Sequence, residues 1–326
     1  MARICVSVFL LFGGRSFAEK LTVYTYDSLV GKNSIGEIIR RRFDTKKSDR
    51  LRFVSFGSAG EALNQAVLEG SKTRADLIVG IDNSLLPRAR RSKLFKDFEP
   101  SYVGIKHLRV PAARDWIPFD YGFVSFVYDR HRYTPSPGLT LERLVNEVKL
   151  KRKVAIVDPR TSSLGKLFLA WTHKQFGGKQ FLPFWKGFSS LVLTVSPGWS
   201  GAYALFNKHE ADMVLSYTTS PAYHLETEKT DRVQALLFPQ GHPQQVEGIM
   251  VLKGSVQKDL VREFVETILS AGVQQAVPLT QFMYPVSTAV QLPESFKRLP
   301  PSPLALTVDI PDDIADWVRL WTQAMS

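Results

Sequence analysis

The sequence predicts an α/β protein of two lobes, each a mainly parallel sheet flanked by helices, joined by hinge crossings. Three observations carry this. Short β-forming runs alternate with helices of about ten residues, the pattern of parallel strands linked by crossover helices. At 326 residues the chain is long enough to bury two cores. The alternation is interrupted at Trp116 to Asp129 and again at Pro221, as expected where a chain passes from one lobe to the other.

Leu21 to Tyr26 alternates β-formers and reads as the first strand, with Gly36 to Phe43 a helix after it. Leu51 to Phe56 is the second strand, broken at Gly57-Ser58-Ala59-Gly60. Ser58 and Glu61 have the spacing of a capping box, so a helix starts there, running from Glu61 to Glu69 and ended by Gly70. Ala75 to Ile81 is the third strand and leads into Asp82-Asn83-Ser84. Pro118 and Gly122 interrupt the next apolar stretch and leave Phe123 to Tyr128 as a strand. Pro135-Ser136-Pro137-Gly138 is a surface turn.

The second lobe repeats this logic. Val154 to Val157 is a strand, Thr161-Ser162-Ser163 opens a helix from Leu164 to Phe176, and Gly177-Gly178 closes it. Leu191 to Val195 is the next strand, Ser200 caps a helix running to Lys208, and Ala211 to Tyr217 is a buried strand. Gln245 to Leu252 is a strand, and Gln257 to Ser270 and Pro311 to Ala324 are helices. The expected divisions are 1–18 as an export signal, 19–117 as the first part of lobe one, 118–222 as the main part of lobe two, 223–285 as the return to lobe one, and 286–326 as a C-terminal helical segment packing on the lobes.

Composition narrows the function classes. A hydrophobic share of 44% with 22% charged residues is ordinary for a globular protein. Arg3, the apolar run Ile4 to Phe12 and Ser16-Phe17-Ala18 form an export signal, with cleavage expected after Ala18. Cleavage removes Cys5, the single cysteine, so no disulfide framework is expected. Beyond the signal no stretch has the roughly 18 apolar residues that span a bilayer. The net charge of +11 becomes +9 once Arg3 and Arg15 are removed. Its clusters, Arg40-Arg41-Arg42, Lys46-Lys47 and Arg88 to Lys93, lack the interleaved aromatics that stack bases, so they read as solvated helix faces and no nucleic-acid partner is expected.

Two features point to chemistry. Leu215-Ser216-Tyr217-Thr218-Thr219-Ser220-Pro221-Ala222-Tyr223-His224 ends a buried strand in hydroxyls, a proline and two tyrosines. Small donors beside aromatic plates suit the wall of a small-molecule cleft; the plainer reading is a strand end whose tyrosines merely pack. Strand, small polar residues and helix start recur at Gly57-Ser58, Thr161-Ser162 and Gly198-Trp199-Ser200. Such junctions hold anions well, because first-turn N–H groups are unpaired and the helix dipole is positive there; the plainer reading is simple capping.

The Leu215 to His224 segment resembles the corresponding segment of bacterial periplasmic thiamine-binding proteins, the substrate-capturing subunits of thiamine ABC importers. Leu21 to Ser28, Pro118-Phe119-Asp120-Tyr121-Gly122, Asp158-Pro159-Arg160-Thr161-Ser162 and Met283-Tyr284-Pro285-Val286 extend the resemblance, in the family's order, across residues 19–326. It implies the two-lobed periplasmic binding protein fold of type II, a periplasmic location, and capture of thiamine, thiamine monophosphate or thiamine diphosphate. It implies delivery to an inner-membrane ABC permease with its ATPase, a monomer, no cofactor and no reaction.

The resemblance places binding at Tyr26, Ser162, Trp199, Tyr217, Tyr223 and Phe282, the last standing where a relative carries Trp. Ser58, at its strand-to-helix junction, and Tyr284, in the same aromatic set, complete the candidates. There are departures: Asn33 stands where a relative has a cleft-facing Trp, and Ser58-Ala59 replaces an acidic Asp-Gly pair. Two rivals share the architecture. A thiaminase-like enzyme needs a cysteine nucleophile, which the mature chain lacks. A ferric-ion or other small-solute carrier would use neighbouring tyrosines, and Tyr217 and Tyr223 are six apart. The six histidines are scattered, and each reads as a surface or packed residue.

Overall fold

The fold is that of a computed structural model, which describes residues 20–44, 49–99, 108, 114–300, 303–311 and 313–326. The expected export signal, with Cys5 and the cleavage point after Ala18, lies outside the described residues, as does Lys46-Lys47.

In the first lobe β1 (Leu21–Tyr26) runs parallel between β2 (Leu51–Phe56) and β3 (Leu77–Asp82). The connecting helices are α1 (Ile35–Phe43) and α2 (Ala59–Glu69). On α1 the buried set is Ile35, Ile39 and Phe43, spaced by four along one face, which leaves Arg41 and Arg42 exposed. Ser58 caps α2, accepting from Glu61 N at 3.1 Å, while the Glu61 carboxylate reaches back to Gly57 N at 3.0 Å. The expected box is present, with its return bond one residue upstream.

β4 (Ile117–Asp129) carries the chain into the second lobe: Ile117 and Phe119 belong to the first core, Val124, Phe126 and Val127 to the second. It is longer than the expected Phe123 to Tyr128. Pro118 is tolerated because the register shifts there, Gly248 facing Pro118 and Glu247 facing Asp120, with Phe119 the extra residue of a bulge.

In the second lobe β5 (Val154–Val157) runs parallel between β6 (Val192–Ser196) and the strand β7 (Met213–Tyr217). α3 (Ser163–Ser189) and α4 (Trp199–Asn207) are the connections. Gly177, at φ +55°, breaks α3 where a stop was expected, but the helix resumes beyond it. It does so because Phe181, Phe184, Trp185 and Phe188 give the second half its own buried face.

The second crossing differs from the expectation. The chain does not return to lobe one at 223. Val233, Leu236 and Phe238 still lie in the second core, and β8 (Val233–Ala235) pairs with the far end of β4. The return is made by β9 (His242–Leu252), antiparallel to both β3 and β4. The full order is β2-β1-β3-β9-β4-β7-β5-β6, so each lobe's parallel strands are joined through two antiparallel crossings. α5 (Lys258–Leu269) packs on the first core, and α6 (Ala315–Met325) packs on α3 with Trp321 and Ala324 in the second core. The C-terminal helix is therefore a second-lobe element. Among the described residues no helix is long and apolar enough to cross a membrane.

Candidate binding site between the lobes

Five strands end at one cavity of about 410 Å³. Tyr26, Asp27 and Ser28 follow β1, Gly57 to Ala59 follow β2, Ser162 to Leu164 follow β5, Trp199 and Ser200 follow β6, and Tyr217, Ser220 and Tyr223 close β7. Gln245 and Glu247 of β9 and the segment Thr280 to Met283 complete the lining. Carboxyl ends of strands at a lobe junction are where open α/β folds bind ligands.

Of the residues expected from sequence, Tyr26, Ser58, Ser162, Trp199, Tyr217, Tyr223 and Phe282 all line this cavity. Tyr284 does not. It is buried in a small apolar cluster with Phe123 and Phe296 and stacks on Tyr121 at 5.3 Å, held there because Tyr284-Pro285 pairs with β4. Asn33 is exposed and outside the lining. In the Leu215 to His224 stretch the hydroxyls mostly face inward: Ser216, Thr218 and Thr219 are buried, and only Ser220 reaches the cavity. Arg160 pairs with Asp158 at 2.6 Å, which holds it away from the cleft.

The aromatic walls are individually fixed. Trp199 donates its indole N–H to Ser216 Oγ at 2.9 Å, and its ring lies 4.8 Å from that of Tyr203. Tyr223 meets Phe282 edge to face, centroids 5.2 Å apart. Phe282 has φ +54°, a strained conformation for a bulky residue, and it places the ring in the cavity wall. Gly80, at φ +103°, lets the Tyr26 ring lie against β3, because a Cβ there would stand 2.4 Å from the ring.

Beneath the rings lies a feature the sequence reading missed. Glu247 is the register partner of Asp82 on β3 and of Asp120 on β4, so three acids stand abreast on adjacent strands. Asp82 is well served, accepting from Ser84 N at 2.9 Å, Ser84 Oγ at 2.6 Å, Leu85 N at 3.1 Å and Gln245 Nε2. Glu247 accepts from the Tyr26 hydroxyl, which in turn accepts from Gln281 Nε2. Among the described residues neither oxygen of the fully buried Asp120 has a hydrogen-bond partner. Burial, with the Glu247 charge adding to it, holds the Asp120 carboxyl well above the usual range. Burial also pushes Glu247 up to about 8, the Tyr26 hydrogen bond opposing and the Asp82 charge adding. Burial and the same carboxylates keep the Tyr26 and Tyr217 phenols well above their ordinary value. The signal in the sequence was a lone acid inside the apolar run Val246 to Leu252.

The family model for bacterial extracellular solute-binding proteins matches residues 46–275. The chain belongs to this family. Over 333 residues it is 36% identical to the thiamine-binding periplasmic protein of Escherichia coli (strain K12), covering 100% of each chain. Over 307 residues it is 38% identical to the protein of that name from Brucella abortus, covering 93% of this chain and 90% of the relative. A solved periplasmic thiamin binding protein superposes with TM-score 0.88 at 34% identity, covering 96% of this chain and 98% of the other. A ferric binding protein from Campylobacter jejuni, at 18% identity and TM-score 0.75, shares the fold.

The two lobes touch across the cleft. Ser58 Oγ donates to Thr161 O at 2.9 Å while accepting from Glu61 N, and Ser200 Oγ donates to Asp27 Oδ1 at 3.2 Å. The Ser58 hydroxyl is thus occupied as a link between lobes. Ser162, by contrast, stands at the amino end of α3 and makes no side-chain capping bond. The amino ends of α2, α3 and α4 all open into the one cavity.

Proposed function

We propose that this protein captures thiamine or its phosphates in the periplasm and delivers them to an inner-membrane ABC permease and its ATPase, performing no reaction itself. The observation that carries this reading is Glu247 in the lining, flanked on neighbouring strands by the buried Asp82 and Asp120, under aromatic walls, Trp199, Tyr223, Tyr26 and Phe282. A flat organic cation such as a thiazolium suits both surfaces: ring faces contribute about 0.5–2 kcal/mol each through cation–π contacts, and the carboxylates supply the counter-charge. The site's own charge therefore offsets the unfavourable net charge, +11 for the full sequence and +9 once Arg3 and Arg15 are removed. The amino ends of α2, α3 and α4 offer unpaired N–H groups to a phosphate tail. The names and the extent of the relatives support the same ligand.

The test is mass spectrometry of the small molecule released from protein purified without refolding. Thiamine or one of its phosphates is the expected mass; a different solute in stoichiometric amount would overturn the reading.

A further inference from the structure

Residues directly opposite on neighbouring strands stand about 5 Å apart with side chains on one face, so Glu247 lies between the carboxyls of Asp82 and Asp120. Burial raises the Asp82 carboxyl above its usual range, and its four donors oppose that by favouring the charged form. Among the described residues Asp120 has none, and Glu247 has only the Tyr26 hydroxyl. Two acids side by side and this dry do not both ionise; one of them keeps a proton. Among the described residues the groups that face the pair add no positive charge. β1 presents the Tyr26 phenol, β3 the Asp82 carboxylate, β7 the Tyr217 phenol, and Gln281 an amide. Lys166 on α3 feels the Asp82 charge and does not pair with Asp120 or Glu247.

We infer that the site exchanges a proton for the positive charge of its ligand: the Asp120–Glu247 pair holds one proton while no cation lies above it, and loses it to solvent when a cationic ring seats against Glu247. This rests on the thiamine reading and deepens it, making the pair the determinant of charge specificity. No covalent bond changes; the carboxyl O–H breaks and the proton goes to buffer.

The sign follows from linkage. Binding releases a proton, so affinity rises with pH as long as the unliganded pair is still protonated, by up to about tenfold per pH unit, and levels off once it is not. Since Glu247 is pushed up to about 8, the rise should extend through neutral pH and flatten above that value. A neutral ring of the same shape displaces no proton and gains nothing from rising pH.

The experiment is calorimetry of thiamine binding to the full chain at pH 7 in two buffers of different ionisation enthalpy, such as PIPES and Tris. Release of a proton, at most one per thiamine, is expected there, because burial pushes Glu247 up to about 8 and leaves the pair protonated at that pH. Asp120→Asn and Glu247→Gln should each reduce that release, and Glu247→Gln should also weaken binding about tenfold or more at pH 8. The wild-type measurement stands even if a variant fails to fold. Thiamine bound with no proton released, or release unchanged in both variants, overturns the exchange and leaves the thiamine reading standing. Thiamine that binds at no pH overturns both.

Discussion

Gly80 and Phe282 place aromatic rings by opposite means. A missing side chain at Gly80 lets the Tyr26 ring lie against β3, whereas Phe282 accepts a left-handed backbone to bring its own ring into the wall. Tyr223 stands against Phe282 without belonging to either lobe's core, so its ring can be removed with little loss of folding stability. Tyr223→Ala should therefore weaken thiamine binding by about 1–3 kcal/mol with the melting temperature nearly unchanged. Trp199→Ala should weaken binding as much, with some loss of stability because Trp199 also packs on the second core and bonds Ser216. Titration calorimetry alongside a melting curve separates the two effects, and unchanged affinity in both variants would remove these rings from the site. These rings were legible in the sequence because Tyr217 and Tyr223 sit in an unusual hydroxyl-rich strand end. Tyr284 misled because its neighbour Phe282 does face the cavity, while a two-residue bridge to β4 turns Tyr284 into an apolar cluster.

Secondary-structure elements differ in how openly they declare themselves. Leu21–Tyr26 and Leu51–Phe56 were readable to the residue, since β-formers there end at a clear change of composition. β4 was not, because the bulge that admits Pro118 depends on β9, more than a hundred residues away. The acid row was hidden for the same reason: Asp82, Asp120 and Glu247 meet only through register between three strands. The amino end of α3 was visible as Thr161-Ser162-Ser163, but its convergence with α2 and α4 was not. Ser162 makes no capping bond of its own, so its hydroxyl is available to an anion, unlike that of Ser58. If a phosphate tail lies there, Ser162→Ala should remove one hydrogen bond to a charged group, about 1.5–3 kcal/mol. The loss should fall on thiamine diphosphate and barely touch thiamine, so the affinity ratio of the two ligands should drop about tenfold or more. A ratio that stays put would move the phosphate away from α3.

At the scale of the whole molecule, β4 and β9 carry the sheet from one core to the other and make a hinge, the chain crossing once more before α6, and the lobe-to-lobe contacts decide how far it closes. Gly60 is the critical point of approach. A Cβ on it would lie 2.9 Å from Thr161 O, a backbone atom of the opposite lobe that cannot rotate out of the way. Gly60 is the second residue of α2, where alanine has the higher helix propensity and costs the helix nothing. Gly60→Ala thus sets local stability against global closure: the first lobe should be as stable as before or more so, while the lobes are wedged apart and the Ser58 bond to Thr161 lengthens. A binding-competent closed state populated one-tenth as much lowers the apparent affinity about tenfold, whatever the intrinsic contacts. The expected result is therefore weaker thiamine binding without a lower melting temperature, together with a larger radius of gyration by small-angle scattering in saturating ligand. A variant as compact and as tight-binding as the wild type would mean that closure does not pass through the Gly60–Thr161 contact. A variant that loses affinity and stability together would place the damage inside α2 rather than between the lobes.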